Sequence, residues 1–206
     1  MHTSSSKARA APPPPPLPPP VKGASIPPPA AKPPFVAATG PAGAFLVELL
    51  IFDGAPFKDH WAYFVRSNGS PHVGVQIHAI GDVMNGFNFQ VKRSHDFRDT
   101  NNRPTKRIQL QWVSQEYFDE KAMFNNGKPK LDTAPVCVFE ASAYKVRVPG
   151  KTLTAVNDNV TAEAKGIGKK ITQRNCQTWI VESADQLVKD CIFSKDVAAY
   201  LHAIEQ

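Results

Sequence analysis

The sequence contains only three cysteines, and none of them belongs to a Cys-x-x-Cys pair. Cys137, Cys176 and Cys191 are an odd number at irregular spacing, which argues against a disulfide framework and against a structural zinc site. Unbridged cysteines in small number are typical of a reducing compartment. We therefore expect a cytoplasmic protein with no metal and no cofactor.

Neither a secretory signal nor a membrane-spanning segment is visible in the sequence. Met1 is followed within a dozen residues by a run of prolines, so the apolar core of a signal peptide is missing. The longest apolar run, 44–52, is interrupted by Glu48 and is too short to cross a bilayer. We expect no association with membranes.

Positive charge is not concentrated in the folded part of the chain, although the formal net charge is +6. Residues 1–40 contain four basic and no acidic residues, which leaves 20 basic against 18 acidic residues in the remainder. A domain with nearly balanced charge lacks the electrostatic footprint of a phosphate-binding surface. Nucleic-acid binding is therefore not expected.

Proline, by contrast, is abundant at the N-terminus. Residues 1–40 mix proline runs with Ala, Ser, Lys and Gly, and carry too little apolar surface to offset the chain entropy lost on folding. We expect a disordered or polyproline II tail there, followed by a single domain over 41–206. Residues 12–20, PPPPPLPPP, are typical of ligands for profilin, SH3 and WW modules, and a stiff spacer is the alternative.

Hydrophobic periodicity predicts strands in the first two thirds of the chain and helices in the last third. The predicted strands cover 44–52, 60–66, 73–80, 87–93, 107–113 and 135–148. A short helix is predicted over 117–124, and longer amphipathic helices over 174–191 and 194–204. This order indicates an α+β fold with a mainly antiparallel sheet packed with C-terminal helices.

Cys176 is the candidate nucleophile because it occupies the first turn of a predicted helix. Free backbone N–H groups and the positive end of the helix dipole favour thiolate there, and thiolate is the reactive form. Helical spacing puts Cys176 on the same face as Trp179 and Ile180, which is expected to pack on the sheet. Free cysteines often only fill a core, which is our interpretation of Cys137 and Cys191.

Two histidines on neighbouring predicted strands could complete such a site. His60, at the start of its strand, would act as the general base that takes the thiol proton. His78, on the next strand, would hold the imidazole of His60 in one orientation. His72 and His95, interpreted as loop residues, and His202, in the last helix, receive no role.

These residues also carry a resemblance to a known superfamily. The segment HWAYFV at 60–65, the segment Ile-His-Ala around His78, and the helix start Asn-Cys-Gln around Cys176 resemble the circularly permuted NlpC-type papain-like proteins. That group includes lecithin:retinol acyltransferase-like proteins and PPPDE-type isopeptidases, and small fungal proteins carry a similar pair of motifs. The resemblance implies a permuted papain-like fold with His60 as base, His78 as orienting residue and Cys176 as nucleophile.

Two hypotheses about function stay open at this stage. The first is a cysteine-dependent hydrolase or acyl transferase that acts on an amide, isopeptide or ester of an unknown acyl or peptide substrate. The second is a non-catalytic binding module of the same fold that uses its polyproline tail for docking. The distance between the thiol and the imidazole separates the two hypotheses.

Overall fold

The computed structural model describes residues 31–151 and 174–206. The polyproline segment 12–20 and most of the predicted tail over 1–40 lie outside the described residues. Within 31–40 the chain forms no helix or strand, and the Trp112 indole donates to the Ala37 carbonyl at 2.8 Å. The described residues contain no helix that is both long enough and apolar enough to span a bilayer.

A six-stranded sheet forms the centre of the described structure. Its strand order is β5-β1-β2-β3-β4-β6, and every neighbouring pair is antiparallel. The strands are β1 Phe45–Phe52, β2 His60–Arg66, β3 Val73–Asp82, β4 Gly86–Asp96, β5 Lys106–Val113 and β6 Lys130–Asp132. The predicted α+β class with a mainly antiparallel sheet and C-terminal helices is confirmed.

Within the described residues, four α-helices accompany the sheet: α1 Glu120–Met123, α2 Val138–Tyr144, α3 Cys176–Lys189 and α4 Lys195–Ile204. The α3 helix packs on β2 and β3 and is itself contacted by α2 and α4. It begins where it does because the Asn175 side chain accepts hydrogen bonds from the N–H groups of Gln177 and Thr178, at 2.8 and 3.2 Å. The predicted positions of α3 and α4 are confirmed to within two residues at each end.

The predicted strand over 135–148 is wrong, because this segment contains the helix α2. Its buried residues Phe139, Glu140, Ser142 and Ala143 follow helical spacing, whereas Val138 is 55% exposed. Cys137 accordingly lies at the N-cap position of a helix and not in the middle of a strand.

The hairpin of β3 and β4 is longer than predicted. It extends to Asp82 on one side and Asp96 on the other, so His95 lies in a strand and not in a loop. The short strand β6 was not predicted; it pairs with β4 through Val91, Lys92 and Arg93.

The two faces of the sheet carry different side chains. On the helix face, Trp61, Tyr63 and Val65 of β2 join the main core with α3, and the Tyr63 hydroxyl donates to the Ile180 carbonyl at 2.7 Å. The opposite face carries a smaller apolar cluster, beside which the histidines of β2 and β3 lie. The cluster consists of Leu50, Phe52, Ala62, Phe64 and Phe97. We call this second side of the sheet the histidine face.

Candidate active site

The thiol of Cys176 lies at an unpaired edge of β2. Pairing between β2 and β3 runs only from Tyr63 to Arg66. The first three residues of β2 therefore pair with β1 on one side but have no described strand partner on the side of β3. There the Cys176 sulfur is 3.9 Å from the Asp59 carbonyl oxygen, and the Trp61 N–H is close enough to lower the thiol pKa. The sulfur therefore contacts the peptide groups on both sides of His60.

The imidazoles of His60 and His78 are in direct contact, as the sequence predicted. Nε2 of His60 is 2.8 Å from Nδ1 of His78, and the rings meet edge to face. On its other side, Nε2 of His78 is 3.1 Å from Oε1 of Gln90. A continuous hydrogen-bonded chain therefore crosses β2, β3 and β4 on the histidine face.

With the Gln90 amide oriented so that its Oε1 faces His78, each ring carries its proton on a defined nitrogen. A carbonyl oxygen only accepts, so His78 donates from Nε2 to Gln90 and, when neutral, accepts at Nδ1. The proton between the two rings then belongs to Nε2 of His60, which donates to His78. The lone pair of His60 is consequently on Nδ1, the nitrogen available to act as a base.

No hydrogen bond joins the thiol to either imidazole among the described residues. Directly paired residues of antiparallel strands share a face, so His60 lies on the side of Phe52, with ring centroids 5.8 Å apart. Cys176, by contrast, belongs to the core on the helix face. The structure thus brings His60 and His78 together, and it brings Cys176 to the backbone at His60 in the plane of the sheet.

The expected thiolate at the start of α3 is not favoured by its surroundings. Burial raises the pKa of the Cys176 thiol and outweighs three nearby N–H groups and the charge of Lys58, which act in the opposite direction. Burial likewise lowers the pKa of His60 to about 4 and that of His78 to about 3, with Lys92 contributing to both. Near neutral pH the thiol and both imidazoles are therefore uncharged.

Gln177 holds the first turn of α3 to the residue before His60, and sequence reasoning gave it no role. Its side chain is fully buried, and its Nε2 donates to the Asp59 carbonyl at 2.8 Å and to Oε1 of Gln206 at 3.1 Å. Its Oε1 accepts from the Gln206 N–H at 3.0 Å. The Asp59 carbonyl thus contacts both the thiol and Gln177, which fixes the position of the sulfur along β2.

A family model described as a family of unknown function, DUF6540, matches residues 47–194. The chain belongs to this family. The DUF6540 range contains His60, His78 and Cys176, whereas α4 and Gln206 follow it. No curated protein and no solved structure matches the chain.

The remaining cysteines and histidines lie in other settings. Cys137 is partly buried, and its pKa is raised to about 12, chiefly by burial, while Cys191 is exposed. His202 forms an exposed pair with Asp185 at 3.0 Å. Within 31–151 and 174–206, no group of three His, Cys, Asp or Glu side chains is arranged to hold a metal ion.

Proposed function

We propose that this protein is a cysteine-dependent hydrolase or acyl transferase that acts on an amide, isopeptide or ester. The observation that carries the proposal is the position of the Cys176 sulfur, against the peptide groups on both sides of His60. The bond of 2.8 Å to His78 supports the proposal further, because it leaves Nδ1 of His60 free to accept a proton.

In the first step, the Cys176 sulfur attacks the acyl carbon while Nδ1 of His60 takes the thiol proton. The electron pair of the carbonyl moves to its oxygen, where the Cys176 N–H can donate, since the Asn175 cap engages only Gln177 and Thr178. His60 then gives the proton to the departing nitrogen or oxygen as its bond to the acyl carbon breaks. The product of this half-reaction is a thioester on Cys176.

The second step releases the acyl group. Water, or another nucleophile in a transferase, attacks the thioester while His60 removes its proton, and the sulfur leaves and is protonated again by His60. Because thiol and imidazole are both neutral at rest, proton transfer accompanies each attack and does not precede it.

The circularly permuted papain-like fold is part of the same proposal. Two features support it: the histidine strand precedes the cysteine helix along the chain, and that helix packs on the strand through its first turn. The free state of all three cysteines agrees with the cytoplasmic location that we propose. We also keep the polyproline segment 12–20, outside the described residues, as a proposed ligand for profilin, SH3 or WW modules.

A non-catalytic binding module is the second candidate, and two observations favour it. No hydrogen bond joins the thiol to either imidazole among the described residues, and the thiol itself is buried. Cys176 is only 8% exposed, and its thiol pKa is raised, which are properties of a cysteine that fills a core. On this alternative, the contacts of Cys176 and Gln177 with Asp59 serve only to join α3 to β2.

The decisive experiment uses p-nitrophenyl acetate as a generic acyl donor. We expect a burst of about one equivalent of p-nitrophenolate and an acetyl adduct on Cys176, visible by mass spectrometry. Cys176→Ala should lower the rate about a thousandfold or more and remove the adduct. The matched control is Cys137→Ala, which removes a partly buried thiol outside the site and should leave the burst unchanged.

The proposal would be abandoned if Cys176→Ala kept the burst, or if the wild-type protein gave neither burst nor adduct. The second of these results would favour the binding module. Unfolding curves of both variants guard against loss of the fold, because Cys176 belongs to the main core and its truncation removes packing there.

A further inference from the structure

Lys92 stands on the histidine face, close to the imidazole pair. It is paired in register with Gln76 and lies two residues from Gln90, which pairs with His78, so all four side chains share one face of the sheet. Its positive charge lowers the pKa of His60, His78 and His95. Lys92 is therefore a neighbour of the proposed base and not an isolated surface residue.

An open cavity of about 350 Å³ begins at Lys92. Its lining also includes Ser94 and His95 of β4 and, on the far side, Lys130 and Leu131 of β6. Lys92 and His95 are each only partly exposed, so both side chains are partly desolvated before anything binds in the cavity.

Two of the three cationic side chains that line this cavity form ion pairs with carboxylates. Arg93 is bonded to Glu140 at 2.9 Å, and Lys130 to Asp132 at 3.1 Å. Of the acidic lining residues, Asp96 is paired with Arg98 at 2.6 Å, and Asp99 is exposed at the rim. Lys92 lines the cavity with no carboxylate partner among residues 31–151 and 174–206.

A partly buried ammonium without a counter-charge costs folding free energy, which an anionic ligand would offset on binding. We propose that this cavity binds an anionic group of the substrate, a carboxylate or a phosphate, with Lys92 as its counter-charge and His95 as a neutral hydrogen-bond donor. That the anion is part of a substrate rests on the proposed function, whereas the existence of the anion site does not.

The position of the site defines the class of substrate further. Lys92 pairs with Gln76 and Gln76 with Phe64, so the Cα of Lys92 is two strand spacings across the sheet and four residues along β2 from that of His60, which is about 16 Å. A compound anchored by its anionic group at Lys92 would therefore reach His60 only with an acyl group remote from that anion. A compound with an anionic group directly beside its scissile bond could not place the anion at Lys92 and the scissile bond at His60 at the same time.

Binding of two small probes to the full chain tests the proposal without reference to activity. We would titrate the protein with inorganic phosphate and, separately, with N-acetylglycine, at constant ionic strength set with chloride, and follow backbone amide shifts by NMR. We expect at least one probe to bind with shifts at Lys92 and His95. Tighter binding of phosphate would assign the site to phosphate esters, and tighter binding of N-acetylglycine to carboxylates.

Lys92→Met should weaken the affinity about tenfold or more, and Lys92→Arg should retain most of it. The control is Lys130→Met, which removes a lysine of the same cavity that is already paired with Asp132, and which should leave the affinity within about twofold. Cys176→Ala should bind both probes like the wild type, so failure of the proposed reaction and failure of the anion site remain distinguishable.

The proposal is overturned if neither probe binds the wild-type protein, or if Lys92→Met, shown to be folded by its unfolding curve, binds them as tightly. Shifts that appear equally with chloride alone would also count against it.

Discussion

Arg93 and Lys92 are neighbours on β4, and their side chains point to opposite faces of the sheet. The two positive charges differ in whether a carboxylate neutralises them. On the helix face, the Arg93 guanidinium is buried and bonded to Glu140 and Asp132, and to the carbonyls of Met123 and Ala134. On the histidine face, Lys92 has no carboxylate partner among the described residues.

This difference in pairing indicates a structural role for Arg93 and a functional role for Lys92. The Arg93 cluster joins α2 and β6 to β4 and has few polar groups left to offer a ligand. The groups around Lys92, namely an unpaired ammonium and a histidine pair with shifted pKa values, stay available for binding and proton transfer. We therefore expect changes in the Arg93 cluster to affect stability, and changes at Lys92 to affect ligand binding.

The largest expected effect is on the helix face. Glu140→Gln leaves the buried Arg93 with only Asp132 as a charged partner, and should lower the free energy of unfolding by about 3 kcal/mol, measured with urea. The control is Glu182→Gln, which breaks an ion pair with Arg174 whose side chains are 38% and 39% exposed, and which should cost less than about 1 kcal/mol. Similar losses in both variants would show that Arg93 does not depend on its partner.

The next effect is a difference in acid response between the two faces. His60 and His78 titrate near 4 and 3 when folded but at 6.5 when unfolded, so the unfolded chain binds more protons between these values. Stability should therefore be fully present above pH 6.5 and fall as the pH drops towards 4 for His60 and towards 3 for His78. Asp132, whose folded pKa is about 2, should lose its contribution only between pH 3.8 and 2.

Urea unfolding at a series of pH values measures this difference. In the double variant His60→Gln with His78→Gln, most of the slope between pH 6.5 and 3 should disappear, while the contribution of Asp132 between pH 3.8 and 2 should remain. A remaining shallow slope in the upper window is expected from His95, whose pKa is also lowered by burial. An unchanged slope in the double variant would mean that the imidazole pair titrates normally.

The smallest effect tests the tautomer of His78. Gln90→Leu removes the acceptor of the His78 Nε2–H, so the ring can reverse its tautomer and no longer holds Nδ1 of His60 as the base. Acylation by p-nitrophenyl acetate should slow about tenfold, with its pH dependence altered. Asn88→Leu is the matched control, because Asn88 is exposed on the same strand and face. Equal rates in the two variants would remove Gln90 from the proposal.

The sequence indicated those parts of the site that lie on strongly patterned elements. The position of α3 followed from its apolar stripe, and the contact of His60 with His78 followed from their places on consecutive strands. The state of the thiol did not follow, because the helix start favours thiolate whereas burial, which depends on the whole fold, opposes it.

Contacts that depend on distant parts of the chain were also missed. Arg93 and Glu140 are 47 residues apart, and nothing local marks either one as buried. Their ion pair anchors α2, a helix in a segment where hydrophobic periodicity had predicted a strand. Lys92 likewise looks like an ordinary exposed lysine until its register against β3 is known, and with it the lack of a carboxylate partner within 31–151 and 174–206.

The loop between β2 and β3 has a consequence for how related chains can be recognised. Residues 67–72 join the strands outside the paired region, which closes with the Ser67 N–H on the Val73 carbonyl at 2.9 Å. Insertions in this loop would lengthen the separation between His60 and His78 without moving either ring, whereas deletion of one residue between Gln76 and His78 would turn His78 to the other face. A search that fixes the number of residues between the two histidines would therefore overlook true relatives, and one that fixes each histidine within its own strand would find them.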